Sequence, residues 1–331
     1  MNKLLTTKWA LGLLISCFCV SAQAQKLPTV IENVLINFGI IPPRGAPQYC
    51  PEETPHLDAT SAEDLMAKAE GAKTSYNKCA SLQFLREILR QHPGHALAKS
   101  AHREILATLF QAQDFVGVIN YANLNLDRDS EFTHYMMLRA LGRQIQSLSV
   151  TPELMDFLAY SLGASLEQND SNPFLKNLKY QNFLEKYPES LYAQEIRILQ
   201  NEARQKYGSE ILARARTNRL MMEYPKALNQ IQMILEWGPV IDVFGEALYE
   251  RIHLLSEFAF GLVRPRLISD IKLNKLLGRD PRTPIAPEER KKLAQDTFEQ
   301  AQKDLLQMQT HLSSSPWTQK AKDFLKDFQY E

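Results

Sequence analysis

From Ser61 onwards apolar residues recur every three or four positions. Leu82, Leu85, Ile88 and Leu89 do so, and so do Phe298, Ala301, Leu305 and Met308. That spacing lays one apolar stripe along an α-helix. No convincing run of alternating residues, the mark of a strand, occurs outside residues 26–60. Helix starts are marked by capping chemistry. Ser61-Ala62-Glu63-Asp64 resembles a capping box. Thr151-Pro152, Asn172-Pro173 and Ser315-Pro316 pair a capping side chain with proline at the first helical position. Ala286-Pro287-Glu288-Glu289 has the proline and the acids without the cap. The pattern predicts an all-α chain.

One phrase recurs. Leu85 to Pro93 reads as an amphipathic helix that ends in His92-Pro93, followed by Ala98 and Ala101. Phe183 to Pro188 ends in Tyr187-Pro188, followed by Ala193 and Ile196. Ile234 to Pro239 ends in Trp237-Gly238-Pro239, followed by Phe244 and Ala247. In each, a small or apolar residue stands five and eight positions after the proline. Leu312 to Ala321 echoes the phrase without its proline in register. Proline pushes its predecessor out of the α region and stops the helix. Small residues on the next helix then let two backbones approach closely. Pro93, Tyr187, Pro188 and Pro239 are therefore read as structural positions of turns in a row of antiparallel helical hairpins, a tetratricopeptide-like solenoid. The prolines are spaced irregularly, so a simple period count misses the array.

The segment Asn182 to Ala193 resembles the "F-x-x-x-YP-x-S-x-YA" signature of the BamD-type outer-membrane protein assembly lipoproteins. His134-Tyr135-Met136-Met137-Leu138-Arg139-Ala140-Leu141-Gly142 looks like that family's "Y-x-x-Y-L-R-G-L" helix, and the order of the pieces over residues 61–263 fits too. The resemblance implies a non-catalytic scaffold at the periplasmic face of the outer membrane. Its implied partners are the periplasmic domains of the β-barrel insertase and unfolded outer-membrane proteins. A different binding module, a soluble periplasmic tetratricopeptide coordinator of cell-wall or envelope-stabilising complexes, is the alternative.

The N-terminus reads as an export address. Lys3 and Lys8 precede an apolar run from Trp9 to Val20, too short for a permanent membrane helix. Ala22 and Ala24 fit signal cleavage after residue 24. Leu14-Ile15-Ser16-Cys17 also looks like a lipobox, which would end the leader at residue 16 and make Cys17 the lipid-attachment residue. Both processing routes remain open at this point. Residues 25–60 carry six of the chain's 17 prolines and form an extended arm. Its apolar piece, Val30 to Ile41, is expected to lie along a surface. Cys50 and Cys79 could close a disulfide over the arm in an oxidising compartment, or be two unrelated thiols. Residues 264–331 form a C-terminal helical extension, with a short helix within Leu267 to Leu277 closed by Gly278, a long one from Pro287 to His311 and a last one from Pro316.

Composition narrows function further. Lys+Arg and Asp+Glu both number 38 in 331 residues, which argues against nucleic-acid binding through bulk charge. GxGxxG, GxxxxGK[ST], HExxH, GxSxG and CxxC are all absent. No catalytic residue, cofactor or metal is assigned. His92, His95 and His102 lie close in sequence, but a metal site needs a fourth ligand and fixed geometry. A helix C-terminal imidazole explains His92 more simply. Ser75-Tyr76-Asn77-Lys78 matches SxxK without its companion motifs. Tyr187, Tyr192, Trp237 and Trp317 could form an aromatic peptide strip, although packing between helices is the plainer reading. The extension holds 13 Lys+Arg against 10 Asp+Glu, too even for an anionic-membrane anchor.

Overall fold

Several helices start where capping chemistry puts them. The computed structural model describes residues 60–164 and 176–328, and the regular structure among them is entirely helical. In chain order the helices are α1 (Ala62–Thr74), α2 (Lys78–Gln91), α3 (Ala96–Gln111), α4 (Phe115–Leu124), α5 (Ser130–Ser147), α6 (Pro152–Ser161), α7 (Tyr180–Lys186), α8 (Ala193–Leu220), α9 (Tyr224–Leu235), α10 (Val243–Leu262), α11 (Asp270–Leu276), α12 (Pro287–His311) and α13 (Pro316–Asp327). Ser61 caps α1 by accepting from Asp64 N, and Thr151 caps α6 by accepting from Leu154 N. Ser315 caps α13 through Trp317 N, whereas α12 starts at Pro287 with no side-chain cap. The Asn172-Pro173 start, Cys17, Cys50 and the extended arm lie outside the described residues.

The described chain divides into two units, with the boundary between Leu199 and Gln200 inside α8. In the first unit consecutive helices pack pairwise, α1 on α2 through to α4 on α5. Alternate helices also touch, α1 with α3 and α3 with α5. This is the neighbour pattern of stacked tetratricopeptide-like helical hairpins. Leu82, Leu85 and Ile88 of the predicted stripe and Ala101 of the proline phrase are buried, and Ile105, Met137 and Leu138 join them in the core.

Two kinds of turn recur. Tyr76, Gln113 and Met222 adopt φ of 61°, 60° and 57°. Behind each, a backbone bond reaches five residues back: Asn77 N to Ala72 O at 2.8 Å, Asp114 N to Leu109 O at 3.0 Å, and Glu223 N to Asn218 O at 2.8 Å. These are Schellman-type ends that close a hairpin in three residues. The proline phrase instead links one hairpin to the next. His92 and Tyr187 end α2 and α7 with φ near −130°. Ala98, Ala101, Ala193, Ile196, Phe244 and Ala247, five and eight places after the prolines, are all buried. Helix α8 starts five residues after Pro188 because the Ser190 hydroxyl first accepts from Tyr192 N at 3.1 Å.

In the second unit α10 is the centre. It packs against α9, α12 and α13, and α12 also meets α13. Ala294, Ala301 and Met308, seven residues apart on α12, are fully buried. Arg251 of α10 grips Asp304 of α12 with two bonds of 2.6 Å. The extension 264–331 is thus built into this unit's core. No helix among the described residues is long and apolar enough to cross a membrane.

Candidate protein-binding surface at the tyrosine-proline turn

The turn from α7 to α8 carries the most distinctive surface of the first unit. Pro188 and Glu189 are exposed, and Leu191 stands out with 94% of its surface free. Together with Glu131, Tyr187 and Ser190 they line a shallow depression of about 420 Å³. The Ser190 hydroxyl donates to Glu131 Oε1 at 2.6 Å, which ties the turn to the first turn of α5.

An aromatic and charged platform lies behind it. Tyr192 stacks on Tyr135 with centroids 4.1 Å apart, and Phe132 meets Tyr192 edge-on at 6.0 Å. The Tyr135 hydroxyl donates to Glu195 at 2.7 Å, and Arg139 pairs with Glu195 at 2.9 Å. Arg139 also covers the Phe110 ring at 4.5 Å. Arg103 sits 5.1 Å over Phe132 and binds Asp129 at 2.6 Å. Burial and the Glu195 carboxylate push the Tyr135 hydroxyl well above its ordinary pKa. Its role is therefore to donate a hydrogen bond, not to exchange a proton. Phe132, Tyr135 and Arg139 share one face of α5 because they stand three and four residues apart. That spacing was the available sequence signal for the platform, and Glu195 and Asp129 carried none.

Two buried histidines support the same helices. His134 donates through Nε2 to Asn177 O at 2.7 Å and packs edge-on against Phe183. Burial drives it down to about 4, with Lys186 adding to the shift and the Asn177 carbonyl opposing it. His102 bridges Tyr121 at 3.1 Å and Thr133 at 2.6 Å. Burial lowers it too to about 4; Arg128 and Arg103 help, and Asp129 opposes.

The other sequence candidates separate. His92 Nε2 bonds Thr60 O at 2.8 Å at the end of α2. His95 caps α3 by accepting from Leu97 N, while His102 lies in the core. Among the described residues no three His, Cys, Asp or Glu side chains gather as metal ligands would. Ser75 spends its hydroxyl on the Gly71 and Ala72 carbonyls, and Lys78 reaches Gln111 O at 3.3 Å. Tyr187 and Tyr192 flank the one turn. Trp237 packs near Tyr207, and Trp317 near Tyr249, both within the second unit. Cys79, near the start of α2, is disulfide-bonded.

No family model matches the chain. No curated protein matches it either. Among solved structures it is similar to a TPR repeats protein from Bacteroides fragilis, with a TM-score of 0.44 and 11% identity, covering 81% of this chain and 99% of that one.

Proposed function

We propose that this protein is a non-catalytic interaction scaffold of the outer-membrane β-barrel assembly machinery. In this reading it binds the periplasmic domains of the insertase and unfolded outer-membrane proteins. It is exported and held at the periplasmic face of the outer membrane through Cys17. The observation that carries the reading is the Tyr187–Leu191 turn. There an almost fully exposed leucine and an exposed proline project beside a fixed aromatic platform. Exposed apolar tips backed by rigid aromatic and arginine side chains are suited to protein contact. The same residues form the phrase that resembles the assembly lipoproteins. The groups around the turn bond one another in a way that fixes its shape.

The test is gentle detergent solubilisation of envelope membranes, affinity isolation of the protein, and intact-mass analysis of it and its partners. Co-isolation of a β-barrel insertase with an acylated Cys17 is the expected result. Leu191→Asp should lose that partner while its unfolding midpoint stays unchanged. A soluble chain beginning at Gln25 with no barrel partner would sink this reading. It would leave the soluble periplasmic coordinator in its place.

A further inference from the structure

The even charge of the C-terminal stretch hides a local segregation. Residues 264–283 hold six cations, Arg264, Arg266, Lys272, Lys275, Arg279 and Arg282, against Asp270 and Asp280. The remainder of the chain to residue 331 has seven cations against eight carboxylates. Part of the cationic set is already used. Arg290 takes Asp270, Arg279 pairs with Glu289, and Arg264 lies 3.5 Å over the Phe260 ring. Arg266, Lys272, Lys275 and Arg282 make no ion pair among the described residues. Between them project Leu267, Ile271 and Leu277, exposed by 41%, 57% and 37%.

This surface is held rigidly. The buried Arg290 guanidinium donates to Leu262 O at 2.8 Å and to Ile268 O at 2.9 Å, fixing the link between α10 and α11. Ile268 sits so close to Gly261 that a Cβ there would meet its Cδ1 at 2.7 Å. Asn274 binds Thr283 O, and Leu273 and Ile285 are buried beneath. The chain therefore spends Ile268, Leu273 and Ile285 on its own core. It leaves a second apolar set, interspersed along the sequence with unpaired cations, exposed.

We infer that residues 264–283 form a docking face for an anionic phospholipid surface, with Leu267, Ile271 and Leu277 entering the headgroup layer and the cations meeting lipid phosphates. Lysine is depleted at protein–protein interfaces. Protruding apolar side chains among Lys and Arg are what a peripheral contact with an anionic bilayer uses. Most of the segment's backbone donors close local turns, as Leu267 N does on Arg264 O and Arg279 N on Asn274 O. Few are left to grip an extended peptide. The inference does not depend on the assembly role proposed above.

Co-sedimentation of the full chain with vesicles tests it, comparing pure phosphatidylcholine with phosphatidylcholine containing phosphatidylglycerol. The expected result is binding that requires phosphatidylglycerol and weakens with added salt. The double variant Lys272→Glu/Lys275→Glu should lower that partitioning at least about tenfold. Ile271→Glu should lower it with no change in unfolding midpoint, since the side chain is more than half exposed. Equal binding to both vesicles, no binding, or binding that these variants leave unaltered would overturn the inference. So would loss of an acidic protein partner in the same variants when wild type ignores vesicles, which would make the face a protein contact.

Discussion

Tyr135 of α5 and Tyr192, one residue before α8, lie face to face, with centroids 4.1 Å apart and planes inclined by 15°. They stand 57 residues apart in the sequence, so the contact fastens the tyrosine-proline turn to a helix of an earlier hairpin. Tyr192→Ala removes the stack and the edge contact to Phe132. It should cost about 3 kcal/mol of stability, while Tyr192→Phe stays within about 1 kcal/mol. Urea unfolding of the two variants checks this. Equal losses would mean the hydroxyl, not the ring, holds the turn.

Stability should fall with acid in a defined window. His102 and His134 have native pKa values lowered to about 4 by burial, against an ordinary value of 6.5. Above that ordinary value both states are neutral and their contribution is fully present. As pH falls towards 4, the unfolded chain takes up protons that the native one refuses, and stability is lost. At about pH 5 the loss should approach about 2 kcal/mol per histidine. Denaturant titrations at neutral pH and near pH 5 measure it. His134→Gln should flatten the slope, and an unchanged slope would remove His134 from the account.

The Schellman turns carry strain that glycine would relieve. Gln113 holds φ of 60° with no Gly to bear it. A left-handed conformation costs a non-glycine residue about 1 kcal/mol, so Gln113→Gly should stabilise by up to about 1 kcal/mol despite the looser unfolded chain. Thermal unfolding would show a raised midpoint. A lowered one would mean the Gln113 side chain contributes more than its backbone costs.

The pair joining α10 and α12 should behave asymmetrically. Asp304 is 1% exposed and depends on Arg251, with Gln300 adding one bond at 3.0 Å. Arg251→Met strands a buried carboxylate and should cost about 3–5 kcal/mol. Adding Asp304→Leu should restore most of that, because apolar pairs of similar volume replace buried ion pairs well. A double variant no better than the single would show that shape, not charge, is what the site needs.

The partner of Cys79 is open to direct chemistry. We propose Cys50, which lies outside the described residues. Non-reduced peptide mapping should join the two, and Cys79→Ser should cost about 3–4 kcal/mol in the chain-entropy account of a loop of this size. A cross-link from Cys79 to Cys17 or Cys19 would reject the pairing.

Much of the helical frame was legible in the residues, for local reasons. Ser61, Thr151 and Ser315 announce helix starts through chemistry acting over two or three residues, and the structure places caps there. The places five and eight after each proline predicted buried contacts and got them. What stayed hidden was non-local or non-standard. Tyr76, Gln113 and Met222 do not advertise positive φ, because the left-handed helix end they form is usually marked by glycine. Arg251 and Asp304 are 53 residues apart, and no periodicity links them. At the tyrosine-proline turn, Tyr187 and Pro188 were legible, but Glu131 and Glu195 reach it only through the fold. The cationic face of 264–283 was masked by summing charge over a stretch whose two parts differ in sign.

The three-residue links at Ser75-Tyr76-Asn77, Ala112-Gln113-Asp114 and Met221-Met222-Glu223 leave no slack. One extra residue absorbed into the start of the following helix would rotate that helix by about 100° relative to the link. Its apolar stripe would then face water and its charges the neighbouring helix. At these joints the number of residues is as much a specification as their kind: side chains can be exchanged there, but the count cannot.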